Sequence, residues 1–138
     1  MEQRPVVGIG VMIFKDGKVL LAERKGSHGE GEFATPGGHL EFGESFEACA
    51  IRETQEETGI EITNIRFQYL SNIKKYGNKH YVHIGLNAEW KAGEPVNMEP
   101  SKSGEWKWFS LDELPKAIFE SCRLALEAHQ THRNYYDS

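Results

Sequence analysis

The chain has 138 residues, 38% apolar and 27% charged, with a net charge of −5. That length makes a single domain, residues 1–138, able to bury a core without metal or disulfide staples. The acidic balance argues against a protein that grips a nucleic-acid polymer through its phosphates. The N-terminal apolar run is too short to span a bilayer and lacks the basic start and cleavage site of a secretory leader. Cys49 and Cys122 have no metal-ligand spacing. They read as reduced thiols in a cytoplasmic protein.

Taken in chain order, residues 6–14 form a valine- and isoleucine-rich strand interrupted by two glycines, and residues 19–23 form a second strand. Asp16-Gly17 between them is a hairpin signal. Residues 25–32 are a polar loop with three glycines, and residues 33–35 are a short strand before Pro36-Gly37-Gly38. Residues 45–58 contain neither Gly nor Pro. Ser45 is the expected N-cap, Glu47 suits the positive end of the helix dipole, and Gly59 is the expected stop. Residues 62–72 and 80–90 read as strands, residues 91–104 as a loop, and residues 105–109 as a short alternating strand. A second helix is predicted over 116–130 from the stripe Ile118, Cys122, Leu124, Ala125 and Leu126. The tail from Thr131 is expected to fray or to dock on the surface. Strands, helix, strands, helix predicts an α/β chain with a mixed sheet and helices on its faces.

The first helix poses an energetic problem. On a wheel of about 100° per residue, Phe46, Cys49, Ala50, Glu56 and Glu57 all fall within roughly 60° of Glu53. The apolar stripe therefore runs into three carboxylates. Glu53 and Glu57 are four residues apart, with Cβ atoms about 5–6 Å apart. Exposed, that pair costs a few tenths of a kcal/mol; partly buried, it costs far more unless one acid stays protonated or a cation lies between them. Clustered carboxylate oxygens suit a hard ion such as Mg²⁺ or Mn²⁺. On helix spacing alone, an acidic solvated face balanced by Arg52 remains the other reading.

The wider segment narrows the choice. Gly38, five residues, Glu44, seven residues, Arg52-Glu53, two residues, Glu56-Glu57, one residue, Gly59-Ile60 resembles the Nudix box, Gly-x5-Glu-x7-Arg-Glu-U-x-Glu-Glu-x-Gly-U, where U is a bulky aliphatic residue. Every fixed charged residue and glycine matches. The one departure is Thr54 at the first U, which keeps a β-branched shape. The box spans residues 38–60, and the order of strands around it is similar to the family's α/β/α sandwich. The resemblance implies hydrolysis of a nucleoside diphosphate linked to another group, with Mg²⁺ and with Mn²⁺ able to substitute. It implies Glu53, Glu56, Glu57 and the Gly38 carbonyl as metal ligands, Arg52 as the residue that orients the acids, and Glu44 as a support of the loop–helix junction. Gly37 opens the loop that carries the diphosphate. Glu53 and Glu56 are candidate general bases, as is Glu99 in a later loop, ahead of Glu105.

Beyond the box, GEFATPGGHLEFGES, NMEP and EWKWFSLDELP resemble the MutT-type branch, which cleaves nucleoside triphosphates to monophosphate and pyrophosphate. Arg24, with Lys25, and His28 and His39 are candidate contacts for the phosphates or sugar. Trp106, Trp108, Phe109, Phe33 and Tyr76 are candidate stacking rings, although strand spacing also suits core roles. His80 and His83 read as structural. Hydrolysis of dinucleoside polyphosphates, nucleotide sugars or ADP-ribose is the alternative, and a non-catalytic nucleotide sensor is a third. The expected partner is a small nucleotide, with no membrane and no nucleic-acid polymer. The resemblance also points to a homodimer.

Overall fold

Strand β1 (Val6–Lys15) is buried on both faces because its alternate residues feed two separate cores. Ile9, Val11 and Ile13 point into one, and Met12 into the other, as the period of two in a strand dictates. In the computed structural model, which describes residues 3–137, β1 is followed by β2 (Lys18–Glu23), β3 (Phe33–Ala34), β4 (Gly37–His39), α1 (Phe46–Thr58), β5 (Glu61–Ile73), β6 (Tyr81–Ala92), β7 (Lys107–Ser110), α2 (Glu120–Thr131) and β8 (Tyr135–Asp137). The strands join in one eight-stranded sheet, in the order β3-β2-β1-β6-β5-β8, with β4 on β1 and β7 on β2. β1 runs parallel to β6 and β5 parallel to β8, while the other pairs are antiparallel. Helix α1 covers one face through Cys49 and Ala50, and α2 covers the other through Cys122, Leu124 and Ala125. The α/β/α sandwich expected from the sequence is present.

Two local features position the site. Asp16 and Gly17 both take positive φ, 51° and 76°, the geometry of a tight hairpin whose twist matches its strands. Past that hairpin β1 changes partner. Phe14 and Lys15 pair with β2, whereas Gly8, Ile9 and Gly10 pair with His39, Gly38 and Gly37 of β4. The sheet therefore splays between β1 and β2, and the segment that leads into α1 lies in the opening.

The structure corrects three expectations and decides between the two held for the tail. Residues 37–39 form strand β4, not merely a turn after Pro36. Residues 116–119 are not helical: Phe33 N–H donates to Ala117 O at 2.8 Å and Phe119 N–H donates to Phe33 O at 2.9 Å. That bridge uses backbone groups a helix would need. The tail does not fray, because residues 135–137 pair with β5 and Tyr136 packs edge-on against Tyr69 at 5.9 Å. Finally, the buried side of α1 is turned about 60° from the wheel centred on Glu53. Thr54 and Thr58 are both 0% exposed, while Phe46 is 47% exposed.

Threonine misleads a hydropathy reading here because Thr58 satisfies its own hydroxyl, donating to Thr54 O at 2.7 Å. Thr54 Oγ1, by contrast, is buried with no hydrogen-bond partner among the described residues. An unpaired hydroxyl in a core costs on the order of 1 kcal/mol or more. Thr54→Val should therefore raise the unfolding free energy by about 1 kcal/mol. Urea denaturation with an unchanged m-value checks this.

Candidate active site

Helix α1 begins where Ser45 Oγ accepts the Ala48 N–H at 3.0 Å and ends where Gly59 takes φ 76°. The cap and the stop fix which residues stand on the last turn, where the carboxylates lie. Gly37 N–H donates to Glu57 Oε1 at 2.8 Å. The Glu57 backbone carbonyl accepts from Trp106 Nε1 at 3.1 Å and from Met98 N–H at 3.3 Å. One glutamate thus ties α1 to β4, to the loop of residues 93–106 and to the tryptophan before β7.

Two glycines let the carboxylates close on the strand. A Cβ at Gly37 would lie 2.3 Å from Ile9 O, and one at Gly38 would lie 2.3 Å from Glu53 Cδ. Both are far inside van der Waals contact, so any side chain would push α1 or β1 away. Arg52 organises the acids on the other side. Its Nε donates to Glu44 at 2.7 Å and its Nη1 to Glu53 at 2.8 Å. Longer contacts reach Glu56 at 3.4 Å and His39 O at 3.3 Å. The guanidinium holds the Glu44 carboxyl down to about 2.

The predicted residues divide into two groups. Arg24, His28, Gly37, Gly38, His39, Glu53, Glu57 and Glu99 line a single cavity of about 710 Å³. Arg52, Glu56 and Glu105 lie outside its lining. The Glu56 side chain is 53% exposed against 15% for Glu53. Glu105 is exposed as well. Arg24 turns toward its own loop: Nε donates to His28 O at 3.0 Å, and Cζ lies 4.1 Å from the centroid of Phe119. Glu99 is paired with Lys102 at 3.3 Å.

The cavity also carries an aromatic wall that sequence reasoning saw only in part. Tyr76 and Phe119 stack at 4.7 Å and 13°, and the His28 ring stacks on Tyr81 at 5.5 Å and 21°. The Tyr76 hydroxyl is anchored, donating to Glu32 at 3.0 Å and accepting the Glu120 N–H at 2.8 Å. Tyr76 was visible as a lone ring in a polar loop. Phe119 was hidden in the predicted helix, and nothing local announces that residues 28, 76, 81 and 119 meet.

Burial raises the pKa of Glu57 to about 8, reinforced by the charges of Glu53 and Glu99 and opposed by the Gly37 hydrogen bond. Burial also raises that of Glu53, against the Arg52 hydrogen bond. The Glu53 and Glu57 carboxylates with the Gly38 carbonyl are hard oxygen donors in a desolvated place, and they fit a divalent cation in kind. As arranged, no three His, Cys, Asp or Glu side chains among the described residues enclose an ion, because Arg52 holds Glu53 and Glu56. Glu57 binds its proton more tightly folded than unfolded. Its contribution to stability is thus greatest below about 4.5 and declines as pH rises through about 8. In chelator-treated buffer the unfolding free energy should fall from about pH 5 to about pH 8, and Glu57→Gln should flatten that slope. Urea titrations across the range check it.

Comparison with known proteins identifies the family. The chain is 36% identical over 105 residues to the NAD-capped RNA hydrolase NudC of Pseudomonas aeruginosa, covering 76% of this chain and 36% of that protein. It thus spans about a third of the length of these NudC relatives. It is 34% identical over 118 residues to the ADP-ribose pyrophosphatase of Methanocaldococcus jannaschii, covering 84% and 68%. The crystal structure of a MutT NUDIX hydrolase from Burkholderia pseudomallei superposes with a TM-score of 0.85 at 33% identity, covering 91% of this chain and 98% of that one. The NUDIX domain model matches residues 4–136, nearly the whole chain, which therefore belongs to the Nudix hydrolase family.

Proposed function

We propose that residues 1–138 act as one catalytic domain that hydrolyses nucleoside triphosphates to the monophosphate and pyrophosphate. The observation that carries this reading is the lining of the cavity, which brings the carboxylates Glu53, Glu57 and Glu99 together with one aromatic cluster. A substrate that fits such a cleft has a polyphosphate at one end and a single planar heterocycle at the other. The likeness to the MutT NUDIX hydrolase supports a triphosphate. The ADP-ribose pyrophosphatase relative favours ADP-ribose as a second reading, with the same wall taking the adenine.

Glu53, Glu57 and the Gly38 carbonyl would hold Mg²⁺ or Mn²⁺, with Glu56 joining by leaving Arg52. Bound there, the ion would neutralise phosphate oxygens and lower the pKa of water. The protein's own groups supply the rest. Water attacks the phosphorus on one side of the α–β bridge, the bond from that phosphorus to the bridging oxygen breaks, and the fragment on the other side departs with the electron pair, giving monophosphate and pyrophosphate. Of the candidate bases, Glu53 and Glu99 face the cavity and Glu56 does not. Glu53 stands on α1 one turn from Glu57, whereas Glu99 lies on the loop of residues 93–106, so we assign the proton to Glu53. Arg52 fixes that carboxylate by a charge-assisted hydrogen bond. His39 and Lys25 also line the cavity, the His39 ring 5.8 Å from that of Tyr81.

Pyrophosphate release from a panel of deoxy- and ribonucleoside triphosphates with Mg²⁺, run beside ADP-ribose and NADH, tests the proposal. Glu57→Gln should lower kcat/KM by about a hundredfold or more while the circular dichroism spectrum stays unchanged. AMP from ADP-ribose without turnover of any triphosphate would replace the first reading with the second. Binding without turnover, unaltered in the variant, would make the chain a sensor. A homodimer is part of the same proposal, and light scattering decides it.

A further inference from the structure

Strand β1 places Gly8 and Gly10 on the face where Met12 enters the α2-side core. Glycines inside a strand forfeit packing and conformational entropy, so their presence needs a cause. The cause lies on the neighbouring strand. In the parallel register Gly8 stands beside His83 and Gly10 beside Gly85, and the His83 ring lies across the bare backbone. A Cβ at Gly8 would approach His83 Nδ1 to 3.1 Å, and one at Gly10 would approach Nε2 to 2.6 Å. Gly85 clears the same floor for Tyr69, since its Cβ would fall 1.9 Å from that ring. The sheet therefore gives up two side chains to seat an imidazole and a third to seat Tyr69, which stacks beside it at 5.9 Å and 27°.

The imidazole lines the cavity and is partly accessible from it. Tyr81, two residues earlier on the same face of β6, belongs to the aromatic wall. His83 and the wall thus bound one chamber, and a heterocycle resting against Tyr81 would bring its edge over the floor. Enclosure pushes the His83 pKa down to about 4, so at neutral pH the ring is uncharged and offers one donor and one acceptor. A neutral group suits an uncharged base edge, whereas a cation here would oppose Arg24 and draw phosphate into the wrong end.

We propose that His83 is a specificity-determining residue, which reads the hydrogen-bonding edge of the nucleobase held against the aromatic wall. The proposal rests on the reading of the cavity as a nucleotide site. The sequence pattern alone gave His83 a structural role, and a purely structural histidine would tolerate an apolar ring of similar size without any change in base preference.

The test compares wild type, His83→Phe and His83→Gln across triphosphates of each base, with thermal melts as a control for folding. Loss of one neutral hydrogen bond should raise KM for the favoured base about tenfold. It should leave kcat nearly unchanged and flatten the ranking of bases, and His83→Gln should recover part of the preference. A folded His83→Phe chain with an unaltered ranking and KM overturns the proposal. A second measurement needs neither folding of the variant nor turnover. In ¹⁵N-labelled wild-type chain, saturating nucleoside monophosphate should shift the His83 ring nitrogens. A bound monophosphate that leaves them unmoved, or no binding at all, also overturns it. Ring shifts without triphosphate hydrolysis would sustain the role of His83 while removing the proposed reaction.

Discussion

Glu57 is held half-buried in the cavity wall by the Gly37 N–H on one side and by contacts to its own carbonyl on the other. Helix, splayed strand and distal loop all meet at this residue. A buried carboxylate tolerates such a place only if a proton, a donor or a cation answers its charge. The backbone amide answers part of it, and the raised pKa measures the part left over. The rest of the architecture follows. Gly37 and Gly38 keep the approach close, the change of partner along β1 makes room for β4, and Arg52 steadies the neighbouring acids without entering the cavity.

What the sequence made legible was chemistry set by short-range spacing. The cap at Ser45, the stop at Gly59 and the Asp-Gly hairpin are local events, and the spacing of the acids on α1 needs only one helix to interpret. The sandwich followed from the order of elements. What stayed hidden depended on contacts between distant segments. Backbone pairing between Phe33 and residues 117–119 shortened the second helix, and pairing with β5 turned an apparent tail into β8. The aromatic wall draws on four separate stretches, so no window of sequence contains it.

The threonines of α1 teach a narrower lesson. A hydropathy wheel ranks Thr54 and Thr58 as polar and puts them on the outside, yet both are sealed in the core. Thr58 escapes the cost of burial by turning its hydroxyl onto the helix backbone. Thr54 does not, and it occupies the one position where the box departs from an aliphatic residue. The departure is therefore a matter of stability in the core and not of the chemistry one residue away. Glu56 carries the complementary lesson, since its motif position groups it with Glu53 and Glu57 while its side chain stands half in solvent.

Gly8 and Gly10 leave the room that the His83 ring fills, which makes that side of the chamber asymmetric toward mutation. A single methyl added at either glycine would displace the ring, but no substitution at those positions removes anything further. Room for larger ligands must therefore come from other lining residues, such as Tyr76, whose loop lies outside the strand ladder. Substitution at these two glycines can only unseat His83, whereas change at His83 itself or in the loop of Tyr76 is the route by which base preference broadens.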